Sequence, residues 1–187
     1  MPEANYLKNF IGHFRTVTAH RHQVMRHCIK AGIPFRGLMH DLSKFSPTEF
    51  IPGIKYFQGT RSPNEREREI FGYSQAWMHH KGRNRHHFEY WNDYNPQTKK
   101  IEPVTMPDIY IFEMFCDRVA ASKIYNKEKY NDSMPLAYFM LGKSRHFIEP
   151  KTSRKLEFLL TMLRDRGEDY TFRYIHRQVR KINSKNK

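Results

Sequence analysis

Along nearly the whole of this 187-residue chain the apolar residues recur three and four positions apart, and almost nowhere do they alternate as a half-buried strand requires. A chain patterned this way folds as an all-α domain, and its length fits one such domain over residues 1–187. The first helix is expected from Asn5 to about Ala31, with Phe10, Phe14, Val17, Val24 and Cys28 on one side and Gly32 and Pro34 ending it. A short second helix follows from Pro34 to Lys44. Ser46-Pro47-Thr48-Glu49 then reads as a capping box, with Ser46 the N-cap and Glu49 the third helical residue, opening a third helix that continues through Tyr56. Gly59 to Asn64 is a polar loop and Glu65 to His80 a fourth helix. Lys81 to Thr105, with Gly82, Asn95-Pro96 and Pro103, is an irregular stretch of functional length. Met106 to about Lys127 makes the fifth helix, and two or three more follow between Ser133 and Ile182. The last residues, Ser184-Lys185-Asn186-Lys187, are expected to fray.

Composition excludes several classes. Cys28 and Cys116 are the only cysteines and each sits in an apolar helical pattern, while Met1-Pro2-Glu3-Ala4-Asn5 has neither the basic start nor the apolar run of an export signal. Reduced thiols in a cytoplasmic protein are therefore expected. No stretch approaches membrane-spanning length, so no membrane partner is expected. With 33 Lys and Arg against 19 Asp and Glu, the formal net charge of +14 favours anionic partners: nucleotides, phosphoesters or nucleic acid.

Against this background His40-Asp41 stands out, because an imidazole and a carboxylate, ligands of hard-to-borderline divalent metals, adjoin in what otherwise reads as the end of a buried helix. At about 100° per residue His13, His20 and His27 form one stripe at the border of the apolar face of the first helix, where a histidine is ordinarily satisfied by backbone or water. Asp117 lies among Tyr110, Glu113, Met114, Ala120, Ala121 and Ile124. A carboxylate buried there costs several kcal/mol unless a cation or strong donors compensate. An ion pair with Arg118 would suffice, but small Ala120 and Ala121 also leave room for a bound ion, with Glu113 one turn away to orient a ligand. The third cluster is His79-His80-Lys81-Gly82-Arg83-Asn84-Arg85-His86-His87, where imidazoles suit a metal and Lys81, Arg83 and Arg85 suit phosphate oxygens.

Taken in order, His20, His40-Asp41, the histidine cluster and Asp117 resemble the H…HD…H…D pattern of the HD-domain superfamily of metal-dependent phosphohydrolases. His40-Asp41-Leu42-Ser43-Lys44 is similar to the HDxxK form of many members, and Ala76-Trp77-Met78-His79-His80-Lys81 to the helix-terminal histidine pair of the branch with extra metal ligands. The strings HDLSKFSPTEF, from His40 to Phe50, and HHKGRNRHHFEYW, from His79 to Trp91, resemble a small bacterial and phage family of unknown function. The resemblance covers about residues 5 to 130. It implies an HD-domain-like helical bundle around one or two divalent ions, whether manganese, iron, zinc, cobalt or magnesium. His20, His40, Asp41 and Asp117 would hold the first ion, with Asp41 bridging to a second served by His79 and His80, and by His86 or His87. The chain departs from the two-metal branch in crowding these four histidines into one short segment.

The activity implied is hydrolysis of a nucleotide or other phosphoester by metal-activated water. Lys44, one turn beyond His40, would contact phosphate or support the site. Lys81, Arg83 and Arg85 would bind the substrate, and His86 or His87 would protonate the leaving group if not bound to metal. Two alternatives stand beside it: a mixed-valent di-iron oxygenase on an HD-like scaffold, and a non-enzymatic nucleic-acid-binding protein. The second draws on the basic helical segment at about 171–187, which contains Arg173, Arg177, Arg180 and Lys181 and is otherwise a solvated helix face.

Overall fold

Asn5 opens the first helix: its side chain accepts a hydrogen bond from the Lys8 amide at 3.0 Å, and α1 then runs over Tyr6–Lys30. Gly32, at φ 79°, ends it in the left-handed conformation that glycine adopts without steric cost. The computed structural model describes residues 5–143 and 147–185. After α1 come α2 (Pro34–Met39), a 3₁₀ turn (Leu42–Phe45), α3 (Pro47–Lys55), α4 (Pro63–Phe71) and α5 (Gln75–Arg83). A second 3₁₀ turn (Phe88–Tyr90) leads into β1 (Asn92–Asn95) and β2 (Lys100–Pro103), an antiparallel hairpin with Asn92 opposite Pro103 and Asn95 opposite Lys100. Then follow α6 (Asp108–Asn126), a short turn (Lys127–Lys129), α7 (Met134–Gly142) and α8 (Pro150–Lys185), which is kinked at Gly167. The fold is all-α, with one small hairpin.

The core forms where α1, α6 and α8 meet. Val24 and Cys28 of α1, Phe115, Cys116 and Val119 of α6, and Leu156, Leu160, Leu163, Phe172 and Ile175 of α8 are all sequestered from solvent. Both cysteines are free and buried. Two glycines let the helices approach closely. A Cβ on Gly53 of α3 would lie 2.1 Å from His13 Nε2, and one on Gly37 of α2 would lie 2.7 Å from the Cys28 Cβ. Among the described residues no helix is long and apolar enough to cross a membrane.

Four expectations need correcting. The second helix does not reach Lys44; it stops at Met39, and His40 and Asp41 leave helical geometry. The fourth helix is two, because Gly72 at φ 79° closes α4 and the Ser74 hydroxyl caps α5 by accepting from the Trp77 amide at 3.0 Å. The stretch expected to be irregular from Lys81 to Thr105 contains the end of α5 and the hairpin. At the C-terminus Ser184 and Lys185 continue α8 rather than fray, while Asn186 and Lys187 lie outside the described residues, as do Met1 to Ala4 of the stretch read for an export signal.

His13 and His27, expected at the border of the apolar face, are buried. Burial pushes both imidazoles down to about 4; the nearby Lys44 ammonium adds to the effect at His13, and the Cys116 carbonyl opposes it at His27. Above pH 6.5 the folded and unfolded chains both hold these rings neutral. Between pH 6.5 and 4 the unfolded chain takes up protons that the folded one refuses, so stability falls as pH falls, by on the order of 3 kcal/mol per ring. Urea unfolding at pH 7.5 and 5.0 should therefore show a smaller acid-induced loss in His13→Gln and in His27→Gln than in the parent chain. Equal losses in all three would contradict the assignment.

Candidate metal centre

The break after α2 builds the centre of the site. Within a helix, His40 and Asp41 would point about 100° apart. Instead His40 is extended at φ −56°, ψ 129°, and Asp41 is left-handed at φ 53°, ψ 27°, a conformation that costs a residue with a Cβ on the order of 1 kcal/mol. Arg21 of α1 compensates the interrupted helix end: its Nε donates to the His40 carbonyl at 2.8 Å and its Nη2 to the Leu38 carbonyl at 2.9 Å. Both side chains of the pair then enter the same buried space, each 1% exposed.

Around Asp41 two groups of donors converge. His20 Nε2 lies 3.7 Å and His40 Nε2 3.3 Å from Asp41 Oδ2, and Asp117 Oδ1 from α6 lies 3.0 Å and 3.6 Å from the same two nitrogens. On the other side His80 Nε2 lies 3.3 Å and His86 Nε2 3.4 Å from Asp41 Oδ1, with His87 Nε2 2.9 Å from His80 Nε2. Both groups could hold a metal ion, and Asp41 belongs to each. Donors about 2.1 Å from a common centre, tetrahedral or octahedral, lie roughly 3.0–3.4 Å apart; the separations here run from 2.9 to 3.7 Å, close to that spacing.

The residues fit ions by a second criterion. The Nε2 atoms of His20, His40 and His86 and the Oδ1 of Asp41 are buried without a hydrogen-bond partner. One orphaned buried polar atom costs about 1–3 kcal/mol. Three nitrogens that converge on one carboxylate, whose own Oδ1 is the fourth such atom, form a donor set that suits a cation.

The other nitrogens of these rings are fixed from outside. Glu49 Oε2 accepts from His80 Nδ1 at 2.8 Å, and Glu113 Oε1 accepts from His40 Nδ1 at 3.1 Å and lies 3.3 Å from His86 Nδ1. A ring that donates through Nδ1 presents Nε2 as a lone pair. Ser43 and Asn84 frame His80: Asn84 Nδ2 donates to Ser43 Oγ and to the His80 carbonyl, each at 2.8 Å.

Charge follows geometry. Burial works to raise Asp41 and Asp117, but imidazoles of His40 and His20 and, for Asp41, the Lys44 ammonium hold them well below the usual carboxylate range. Burial likewise opposes the charge on His40, yet Asp41, Asp117 and Glu113 raise it well above the ordinary imidazole value. Glu113 is held down to about 2 despite its burial by His40 and His86. Burial, with His86 and His80 adjacent, pushes His87 well below its ordinary value, and burial with Lys44 lowers His20.

The structure brings together His20, His40, Asp41, His80, His86, His87 and Asp117, and sets others apart. His79 turns away from Asp41 and donates through Nδ1 to Glu49 Oε1 at 2.7 Å. His86 has Glu113 at one nitrogen and Asp41 facing the other, and His87 faces His80, so both rings sit among the donors. Lys44 Nζ lies 2.6 Å from Asp41 Oδ2. Lys81 is partly exposed and Arg83 exposed on the last turn of α5. Arg85 is committed elsewhere: it donates to the Tyr110 hydroxyl at 3.2 Å and lies over the Tyr90 ring. Arg118, the alternative partner for Asp117, lies over the Phe139 ring, 5.6 Å from its centroid. Sequence reasoning missed Glu49, whose position in the capping box supplied a complete local explanation. The capping box is not formed: Ser46 makes no side-chain cap and its hydroxyl is buried without a partner, while the Glu49 side chain faces inward to the two histidines.

No curated protein and no solved structure matches this chain. A family model, a family of unknown function designated DUF5662, matches residues 9–162. The match spans both donor groups and both outer carboxylates, and the chain belongs to this family.

Proposed function

We propose that the chain is a metal-dependent phosphohydrolase, with His20, His40, Asp41 and Asp117 holding one divalent ion and Asp41, His80, His86 and His87 a second. The observation that carries this reading is the division of Asp41, whose two oxygens face separate donor groups within one buried space. Two ions so placed supply a nucleophile from water at neutral pH and neutralise charge on a phosphoryl group. The ordered resemblance to the HD-domain superfamily supports the same chemistry. Imidazole and carboxylate donors without thiolate suit manganese, iron, cobalt or zinc.

The chain's own side chains define what the site accepts. Lys44 keeps its proton, pushed up to about 12 because Asp41 and Asp117 outweigh its burial. Partly exposed at the edge of the site, it offers a phosphate oxygen a donor beside the bridging carboxylate. Lys81 and Arg83 stand on the α5 turn that carries His80 and would offer cations to a nucleotide's further phosphates. A chain of formal charge +14 draws such anions in.

Protein purified without chelator should contain up to two equivalents of transition metal and cleave nitrophenyl phosphomonoesters, phosphodiesters or nucleotides. Asp41→Ala should lose both metal and turnover, and retention of either would count against the reading. Coloured, iron-containing protein that consumes oxygen and leaves phosphoesters intact would replace hydrolysis with the oxygenase alternative.

Metal uptake should also depend on pH. His40 holds a proton above the ordinary imidazole range, and an ion at Nε2 must displace it, so affinity rises with pH and falls as acid restores the imidazolium. Calorimetric titration at pH 6.5 and 8.0, in buffers of different ionisation enthalpy, should show proton release and tighter binding at the higher pH. Binding that is independent of both pH and buffer would exclude His40 as a ligand.

A further inference from the structure

We propose that Glu113 is a positioning residue that couples the two donor groups from outside the site, an inference that rests on the metal-binding reading above. Its Oε1 lies 3.1 Å from His40 Nδ1 and 3.3 Å from His86 Nδ1. The opposite nitrogens of those rings face different oxygens of Asp41: His40 Nε2 is 3.3 Å from Oδ2, and His86 Nε2 is 3.4 Å from Oδ1. His40 therefore belongs to one donor group and His86 to the other, and a single carboxylate oxygen sets the tautomer and ring orientation of both.

Glu113 is itself held from behind. Arg36 Nη1 donates to its Oε2 at 3.2 Å, the Arg36 guanidinium lies 4.0 Å from the Tyr110 ring centroid, and the Tyr110 hydroxyl accepts from Arg85 Nη1 at 3.2 Å. With one oxygen on the guanidinium and the other between two imidazoles, the carboxylate is fixed across its whole width. Glu49 offers the contrast. It also accepts from two rings, His79 and His80, but only His80 faces Asp41, so Glu49 serves one donor group. The two outer carboxylates are thus unequal: loss of the Glu49 charge disturbs one site, and loss of the Glu113 charge disturbs both.

The probe is Co²⁺ added to chelator-stripped full-length protein, followed by calorimetry and visible absorption. The parent should take up two ions. Glu113→Gln should weaken both binding steps by about 10–100-fold, and Glu49→Gln only one. In the ion-free protein labelled with ¹⁵N-histidine, two downfield Nδ1–H resonances should vanish together in Glu113→Gln, a loss that a merely structural role would not select. Weakening of one step or of neither, or loss of a single resonance, would overturn the proposal while leaving the metal reading intact. If Glu113→Gln does not fold, Arg36→Met decides in its place, with weakening of both steps expected and any other result overturning the proposal. A parent chain that takes up no cobalt would overturn both readings together.

Discussion

A buried carboxylate whose two oxygens face separate sets of imidazoles, with a lysine ammonium on one oxygen and no donor on the other, is the constraint around which this molecule is arranged. Asp41 is removed from water almost completely, and Asp117, Glu113 and Glu49 are drawn in close by, so four acids share one region of the interior. Isolated buried carboxylates are prohibitively costly, and they persist only when cations and donors surround them. The chain answers with Lys44 on Asp41, Arg36 on Glu113 and a proton held on His40. Nitrogens that face inward without a partner remain beyond this internal balance. Divalent ions would replace the proton and engage those nitrogens in the same act, so the electrostatics and the orphaned atoms point to one kind of occupant.

Holding such a cluster requires rigid elements on either side, and the core supplies them. His20 comes from α1 and Asp117 from α6, and the same two helices bury Cys28 and Cys116 against each other's neighbours further along. Beyond the thiols, Glu168 just after the α8 kink accepts from Lys30 of α1 at 2.8 Å and from Lys123 of α6, so α8 ties the far ends of both helices. A carboxylate that receives one lysine from each helix resists their separation, although pairs as exposed as Lys30 contribute little individually. His20 and Asp117 of the candidate site thus stand on two helices that are held together further along as well.

Legibility in the sequence followed the range of the interactions. The long helices were readable because burial of one face imposes a period on the sequence, and Asn5 and Gly32 act within three or four residues of themselves. The division of α4 from α5 was carried by Gly72 and Ser74 in plain view and was overridden by the periodicity on either side. The hairpin was not readable: Asn92–Asn95 and Lys100–Pro103 are short and largely polar, and none of their residues is buried, so no alternation marks them. The break at His40 and the inward turn of Glu49 were hidden for a different reason. Each is imposed by groups distant in the chain, Arg21 in one case and His79 and His80 in the other, and each violates the local preference that sequence reading relies on.

The stripe of histidines on α1 shows the limit most clearly. His13, His20 and His27 share one side of one helix and one residue type, and all three are buried. What differs is the element that meets each level. At His13 it is Gly53 of α3, where the absence of a side chain makes room for the ring against Phe50 and Phe57. At His27 it is the Cys116 carbonyl, which takes up Nδ1 at 3.1 Å. At His20 the facing groups are two carboxylates, Asp117 at 3.0 Å and Asp41 at 3.7 Å, and Nε2 is left pointing between them. Helical spacing selects which residues face inward, but the chemistry an imidazole performs there is decided by its opposite number. For His20 that partner lies 97 residues away at Asp117; the ordered resemblance couples the two, but helical spacing does not, and the contact is made only where α1 and α6 run side by side.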